Sequence, residues 1–306
     1  MFQIPKELPE EEYKKQWESG QHQSDYNSCR FAEDKLAYAK EWMRLHAPWV
    51  NYDNPKNIAD IVGHEKIHFD SNPMKFIMAD KLSSIFYGMG WNGMKDPLFN
   101  MPELIIPPAK GKDGKWLFRY NSHLTDEDWN NIPENVPLIL RMSHGSGWNV
   151  QFTKTENFDP TFIQQQVYNW HKLNYAYVCG WERQYEPLCG GWIIQPYLGS
   201  LLNWEFWCEE GKIVAVNLVR KVSKNREDNV AWVDENGDKP PFIIAKPSQL
   251  FLAKSQKEIL EKMKPYVKKL AEPFKFVRVD LYSINGEPKF SELTFTPCAG
   301  RIRLGA

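Results

Sequence analysis

The 306-residue sequence lacks three features that would place it among membrane, nucleic-acid-binding or secreted proteins. It has no apolar run near the ~18 residues that a transmembrane helix needs. Its 38 Lys and Arg residues balance 39 Asp and Glu residues, so no net basic field attracts nucleic acid or an anionic membrane. The acidic start after Met1 lacks the apolar core of a signal peptide. These absences predict a cytosolic protein with no nucleic-acid partner and no membrane insertion.

Cysteine is also scarce, and its spacing excludes the usual framework patterns. The five cysteines are odd in number and contain no C-x-x-C pair: Cys29, Cys179, Cys189, Cys208 and Cys298. This pattern favours reduced thiols over a disulfide framework. The chain is 42% hydrophobic, which suffices for a sizeable core, and its length predicts about two domains.

Helical and strand patterns alternate along the chain without a regular βαβ rhythm, which predicts an α+β fold. Residues 1–75 have a mainly helical, polar pattern that includes a helix over 31–45, and residues 97–115 predict an irregular connection. Capping boxes at 125–128 and 255–258 predict helix starts, and Asp159 with Pro160 predicts a helix to about Lys172. Strands are predicted at 136–142, 192–194, 212–219, 276–282 and 288–295.

The last two predicted strands form a hairpin that carries acidic residues. Alternation places Arg278 and Asp280 on one face of the first strand, and Glu292 and Thr294 on one face of the second. A two-residue turn puts Asp280 and Glu292 on opposite sides of the hairpin. A three-residue turn over 284–286, with the glycine at the bulge position, pairs Arg278 with Glu292 and brings both carboxylates to one side.

Two carboxylates beside a hydroxyl suit an oxygen-seeking cation such as Mg²⁺, which takes one or two protein carboxylates along with water and phosphate oxygens. The alternative is an ordinary cross-strand ion pair between Arg278 and Glu292, with Asp280 as its solvated neighbour.

Two further segments resemble known motifs in part. The turn SHGSG at 143–147 allows close backbone approach to phosphate, although it lacks the ending of a P-loop, and a plain tight turn fits it equally. His64, Glu65 and His68 match H-E-x-x-H, a zinc pattern on a helix. Lys66 beside the histidines and the absence of a third ligand at G-x-x-H spacing disfavour zinc.

Several stretches, in the same order along the chain, resemble the TupA-like ATP-grasp family. FVRVDLY at 276–282, NG at 285–286 and SELTFTP at 291–297 are similar to that family's FVRVDLY…NG…GELTFYPGSG ending. LRMSHGSGWN at 140–149 is similar to LKCNHGSGWN, and NWEFWC at 203–208 to DYKFYC. Further segments are similar to that family in the same order: NWHKLNY at 169–175 with IIQPYL at 193–198, and EKI at 65–67 with ADKL at 79–82.

This resemblance implies an ATP-grasp fold, in which two α+β subdomains clasp ATP behind an N-terminal helical region. The implied division is 1–75, 76–198 and 199–306, with the metal site in the last part. ATP and Mg²⁺ are the implied cofactors, Arg278 is the implied catalytic residue, and the implied metal ligands are Asp280, Glu292 and Thr294. The implied ATP-binding residues are Arg141, His144, Gly145, Ser146, Gly147, Gln195, Pro196, Tyr197, Leu198 and Glu205.

Three positions depart from the family pattern: Arg141 and Glu205 stand where it has lysine, and Gln195 where it has a carboxylate. The resemblance implies a carboxylate–amine ligase that adds an amino acid or peptide to a uronic-acid-containing cell-surface polysaccharide or its precursor. Its partners are then a small-molecule or glycan acceptor and an amine donor. The alternatives are a kinase acting on a sugar or small-molecule hydroxyl, and a non-catalytic nucleotide- or glycan-binding protein.

Overall fold

This computed structural model describes residues 23–90, 101–121, 123–199, 201–223, 226–244 and 247–305. The acidic start lies outside these residues, as do parts of the predicted helical region 1–75 and of the predicted connection 97–115. Helices and two antiparallel sheets make up the described chain, which confirms the α+β class. None of the described helices is long and apolar enough to traverse a bilayer. The five cysteines are free thiols, as expected.

Helices dominate the described chain before residue 90: α1 (Gln23–Arg30), α2 (Lys35–His46), α3 (Ile58–Ile67), α4 (Pro73–Ala79) and α5 (Lys81–Gly88). The last four each follow a residue whose side chain accepts hydrogen bonds from first-turn backbone N–H groups: Asp34, Asn57, Asn72 and Asp80. Such caps satisfy donors that have no partner inside the helix. The helix predicted over 31–45 therefore begins only at Lys35, after its Asp34 cap.

The first sheet has four antiparallel strands in the spatial order β1 (Phe118–Arg119), β4 (Trp192–Pro196), β2 (Pro137–Met142) and β3 (Asn149–Thr153). Two helices, α6 (Asp126–Asn131) and α7 (Thr161–His171), share one buried apolar cluster with it. The predicted capping box between Thr125 and Asp128 is confirmed. Helix α7 starts one residue late, with the Thr161 N–H donating to Asp159 Oδ1 at 2.9 Å.

The second sheet has five antiparallel strands in the order β7 (Arg226–Val233), β6 (Lys212–Ser223), β5 (Leu202–Glu209), β8 (Phe276–Ile284) and β9 (Glu287–Thr294). Helix α8 (Lys254–Ala271) packs on one face, where its Leu260 and Val267 are buried with Val279 of β8. The predicted box between Ser255 and Glu258 is wrong: Gln256 Oε1 accepts from the Ala253 N–H instead. The domain division at residues 75 and 198 stays a prediction.

The hairpin between β8 and β9 turns over two residues, Asn285 and Gly286, whose φ angles are 54° and 79°. The predicted three-residue turn is therefore wrong, as is the pairing of Arg278 with Glu292. A two-residue turn alone would separate Asp280 and Glu292 onto opposite faces. A β-bulge beyond Asp280 leaves Ser291 as an extra residue in β9, so Asp280 lies opposite Glu292. The two carboxylates share a face, as predicted, but for a different reason.

Candidate active site

Three carboxylates lie side by side across the face of the second sheet that is turned away from α8. Glu205 of β5 is opposite Asp280 of β8, and Asp280 is opposite Glu292 of β9. Directly opposed residues of antiparallel strands have Cα atoms about 4.5–5.5 Å apart. We call these three residues the acid row. Thr294 follows Glu292 by two residues on the same face of β9.

Arg278 holds the centre of the acid row. Its Nε and Nη2 donate to the two carboxylate oxygens of Asp280 at 2.8 and 2.7 Å. Its Nη1 lies 3.6 Å from Glu205 Oε1, and its Nη2 lies 3.4 Å from Thr294 Oγ1. One guanidinium thus contacts residues of three strands, and its shortest contacts are those with Asp280.

Two further cations meet at the β9 end of the row. The Nζ of Lys81 lies 3.4 Å and the Nη2 of Arg141 lies 3.5 Å from Oε2 of Glu292. Lys81 opens helix α5 and Arg141 belongs to β2 of the first sheet, so this end of the row lies between the two sheets. Arg141 also reaches Gln195 Oε1 at 3.5 Å, and Gln195 Nε2 donates to the Ile106 carbonyl at 2.7 Å.

These neighbours set the charge states along the row. Burial alone would raise the pKa of Glu292, but Lys81 and Arg141 beside it hold that pKa well below its usual range. Burial raises the pKa of Asp280, and the Arg278 guanidinium opposes that rise. Burial lowers the pKa of Lys81, and Glu292 opposes the shift. Glu292 is therefore firmly ionised, whereas Asp280 depends on a cation at its side to stay charged.

The turn between β2 and β3 lies directly over Lys81. The Nζ of Lys81 donates to the Gly145 carbonyl at 2.6 Å, and its backbone N–H donates to the Ser143 carbonyl at 3.0 Å. Ser146 and Gly147 are exposed at the tip of the turn, where Gly147 has a φ of 72°. The predicted phosphate loop is thus placed beside Glu292, and its role stays a prediction.

His144, predicted to contact ATP, has a buried side chain that is only 2% exposed. Its ring packs edge-on to Trp148, and its Nε2 lies 3.3 Å from the Trp170 carbonyl. A Cβ atom at Gly190 would lie 2.5 Å from the ring, so glycine is required there. Burial lowers the pKa of His144 to about 4. The imidazole therefore serves packing between the turn and α7.

The segment predicted to surround adenine begins with Gln195 and Pro196, the last two residues of β4. Gln195 is buried and joins the site through Arg141, whereas Pro196 and Leu198 are exposed. The half-buried Tyr197 donates its backbone N–H to the Pro137 carbonyl at 3.0 Å. The structure thus brings one of these four side chains, that of Gln195, to the acid row, and no contact joins the other three to it among the described residues.

The sequence analysis missed Lys81 as a site residue, although the ADKL match includes it. A lysine in the first turn of a helix opposes the helix macrodipole. This local conflict was the available signal, because such a lysine needs a compensating anion. Glu292 supplies that anion. Arg141, the other cation at Glu292, lies 151 residues before it in the chain.

The H-E-x-x-H segment lies in α3 and does not form a zinc site. Glu65 is buried in an ion pair with Lys75. His64 Nδ1 lies 2.8 Å from the Tyr52 carbonyl, and His68 Nε2 lies 2.9 Å from Asp53 Oδ1. Across the described ranges, no three His, Cys, Asp or Glu side chains are grouped as metal ligands. The pattern is structural in this chain.

Residues 116–304, more than half of the chain, match the sequence model of the TupA-like ATPgrasp family. The chain belongs to this family. The match covers the first sheet, the acid row and the strands around it, and it confirms the resemblance read from the sequence. No curated protein sequence matches the chain.

Solved structures of ligases match the chain at low similarity. A D-alanine–D-alanine ligase from Bacillus anthracis is 14% identical over 72% of this chain and 57% of its own, with a TM-score of 0.36. An L-amino acid ligase from Bacillus licheniformis is 12% identical over 81% of this chain and 56% of its own, with a TM-score of 0.38. The chain spans a little over half the length of these proteins, and likeness at this level does not bear on its chemistry.

In this ATP-grasp chain, the acid row offers the oxygen donors that Mg²⁺ prefers. Asp280 and Glu292 supply two carboxylates and Thr294 a hydroxyl, which matches the one or two carboxylates that Mg²⁺ takes from proteins. Both oxygens of Asp280 already accept hydrogen bonds from Arg278. The donor set therefore fits the ion, provided that the guanidinium turns away from Asp280 when the ion binds.

Proposed function

We propose that this protein is an ATP- and Mg²⁺-dependent carboxylate–amine ligase that works through an acyl phosphate. The observation that carries this proposal is the division of charge along the acid row. Lys81 and Arg141 meet at Glu292, next to the exposed tip of the 143–147 turn. Arg278 lies at the centre, between that cationic end and Glu205.

In the first step, an oxygen of the acceptor carboxylate attacks the γ-phosphorus of ATP, and the bond to the β,γ-bridging oxygen breaks to release ADP. Lys81 and Arg141 bind the phosphates, and Gln195 to Leu198 line the adenine side. Arg278 offers a planar fork that matches a phosphoryl or acyl phosphate group. Bound Mg²⁺ supplies positive charge that stabilises the phosphoryl group during transfer.

In the second step, the nitrogen of an amine attacks the acyl carbon of the acyl phosphate. The C–N bond forms, the C–O bond to phosphate breaks, and the nitrogen loses a proton to the leaving phosphate. Arg278 supports this step from the centre of the row, because it reaches both neighbouring strands. The products are an amide, ADP and phosphate.

The acceptor class follows from the family. We propose that the carboxylate belongs to a uronic-acid-containing cell-surface polysaccharide or its precursor, and that the amine belongs to an amino acid or peptide. The proposed site of action is the cytoplasm, where ATP and such precursors are available. Family membership supports this assignment only by analogy.

The test is an assay of ADP release with Mg·ATP over a panel of uronic acids, each alone and paired with each common amino acid. Mass spectrometry follows the products. A ligase forms an amide and releases phosphate only when both partners are present, and hydroxylamine traps its acyl phosphate as a hydroxamate. A phosphorylated sugar formed without any amine identifies a kinase. Nucleotide binding without ADP release over the whole panel identifies a binding protein, and both results contradict the proposal.

A further inference from the structure

We propose that Glu205, Asn217 and Asn203 form the subsite that binds the amine substrate as its ammonium ion. This inference rests on the proposed function and deepens it, because it assigns the nucleophile to the β5–β6 end of the acid row. Glu205 and Asn203 share one face of β5, and Asn217 lies opposite Glu205 on β6.

Glu205 is the least compensated carboxylate of the row. Asp280 accepts two hydrogen bonds from Arg278 below 3 Å, and Glu292 has both Lys81 and Arg141. The nearest cation of Glu205 is Arg278 Nη1, 3.6 Å away and beyond hydrogen-bond distance. Its side chain is nevertheless only 13% exposed. A carboxylate has about four acceptor positions, so Glu205 keeps most of its capacity for a ligand.

Asn217 adds a second acceptor beside it. Its Nδ2 donates to Glu205 Oε2 at 3.0 Å and to Asn229 Oδ1 at 3.1 Å. These two acceptors fix the orientation of the amide, because a flipped amide would turn its oxygen toward both of them. Asn217 is 5% exposed, and its buried Oδ1 has no hydrogen-bond partner among the described residues. A buried polar atom without a hydrogen-bond partner destabilises the protein, and a ligand that donates a hydrogen bond to it removes that cost.

Asn203 supplies a third acceptor from the same face of β5. Its Oδ1 is likewise buried and has no partner within the part of the chain that the structure describes. The three side chains together therefore present oxygen acceptors and one negative charge. An alkylammonium ion, with three N–H donors and one positive charge, is the complementary ligand.

The position of this subsite suits the second step of ligation. Glu205 is the direct cross-strand neighbour of Asp280, and Arg278 reaches both. Phosphate binds at the opposite end, where Lys81 and Arg141 meet Glu292. An ammonium ion at Glu205 therefore lies next to the acyl group and away from the cations that hold phosphate. The ammonium ion loses one proton to water before its nitrogen attacks.

Mg²⁺ is the less suitable occupant of this subsite. It prefers near-octahedral coordination with several waters and one or two carboxylates, whereas the subsite offers two amide oxygens and one carboxylate that already accepts from Asn217. The single negative charge of the subsite also balances the single positive charge of an ammonium ion.

The test uses the Glu205→Gln variant with the amino acid panel in two measurements: amide formation, and amine binding by calorimetry with Mg²⁺ and a non-hydrolysable ATP analogue. Loss of one charge-assisted hydrogen bond should raise the KM and Kd of amino acids about tenfold or more, against about twofold or less for the KM of ATP. Hydroxylamine is uncharged near neutral pH, so its KM should rise less than the KM values of the amino acids. Glu205→Asp keeps the charge and should restore part of the affinity.

Glu209→Gln, which removes a carboxylate near the other end of β5, is the matched control and should leave both constants unchanged. Equal changes in the KM values of ATP and amine, or amine binding that is insensitive to Glu205, would overturn the subsite even if the protein forms amides. Conversely, Glu205-dependent amine binding without amide formation would support the subsite and contradict the ligase proposal.

Discussion

Two clusters of buried charge in this protein are built in contrasting ways. Around Lys75, an ion pair with Glu65 and a second pair with Asp70 at 2.9 Å surround an ammonium that is 0% exposed. In the acid row, the Arg278–Asp280 pair is short, but the other ion pairs measure 3.4–3.6 Å. The Glu292 side chain is also 26% exposed.

Under the proposed function, the difference separates a charge cluster that stabilises the fold from one that binds a ligand. In short ion pairs the charges compensate each other within the protein, which offsets the free-energy cost of their burial. Long pairs and unpartnered acceptors leave charge and hydrogen-bond capacity that substrates can use. Three predictions test this contrast and a further one concerns the buried His144; they are given in order of decreasing effect.

Lys75→Met should cost about 3–5 kcal/mol of unfolding free energy, because it leaves the buried Glu65 without its cation. Urea denaturation measures the loss. Lys262→Met is the control: its pair with Glu287 is also 2.9 Å long, but both side chains are more than half exposed, so the loss should stay below about 1 kcal/mol. Equal losses in the two variants would remove the distinction between the clusters.

Asp280→Asn should lower kcat for Mg·ATP turnover by about 100-fold or more, because it removes a charged ligand from the proposed metal site. The midpoint of urea unfolding should fall less than in Lys75→Met, since asparagine still accepts a hydrogen bond from Arg278 and Glu205 remains 3.6 Å from the Arg278 Nη1. Steady-state ADP release and denaturation are measured on the same preparation, with Glu287→Gln as control. A loss of stability as large as that of Lys75→Met would mean that Asp280 mainly stabilises the fold.

Stability should fall as pH decreases from about 6.5 to about 4, because burial keeps the His144 pKa at about 4 against an ordinary value of 6.5. The folded protein requires neutral His144, whereas the unfolded chain binds a proton throughout this window. The slope reaches at most about 1.4 kcal/mol per pH unit. Urea titrations at several pH values compare the wild type with His144→Asn, which should show a shallower slope. Identical slopes would mean that the imidazole is protonated in the folded state.

Lys81→Met should cost about 1 kcal/mol of stability or less, because Glu292 is partly exposed and turns to water when the lysine is lost. It should weaken binding of an ATP analogue about tenfold, the effect of one charge-assisted hydrogen bond. Calorimetry and denaturation measure the two effects. A stability loss as large as that of Lys75→Met would group Lys81 with the Lys75 cluster, which stabilises the fold.

The faces of the two hairpin strands were more predictable from the sequence than the pairing between the strands. Alternation along β8 and β9 correctly assigned Arg278, Asp280 and Glu292 to polar faces, because a buried face on α8 leaves only one side for charge. The pairing was wrong, since it assumed an extra residue in the turn. A bulge at Ser291 has no residue signature as strong as Asn-Gly in a turn.

Other features depend on contacts between distant segments. Lys81 has an ordinary surface residue type, and only the folded chain brings it to Glu292. The edge strand β7 was not predicted as a strand, because its sequence, REDNVAWV, carries charge over its first half. The start of helix α8 was predicted close to its position but its cap was not: the box was assigned to Ser255 and Glu258, whereas Gln256 accepts from the Ala253 N–H.

The bulge at Ser291 makes the length of the terminal hairpin more important than the identity of most of its residues. In a regular ladder of the same length, Ser291 would lie opposite Asp280, Glu292 would turn toward the apolar side of the sheet, and Leu293 would come onto the side of the acid row. One residue inserted between the turn and Glu292 would have this effect on the proposed metal ligands, whereas deletion of Ser291 would leave Asp280 opposite Glu292.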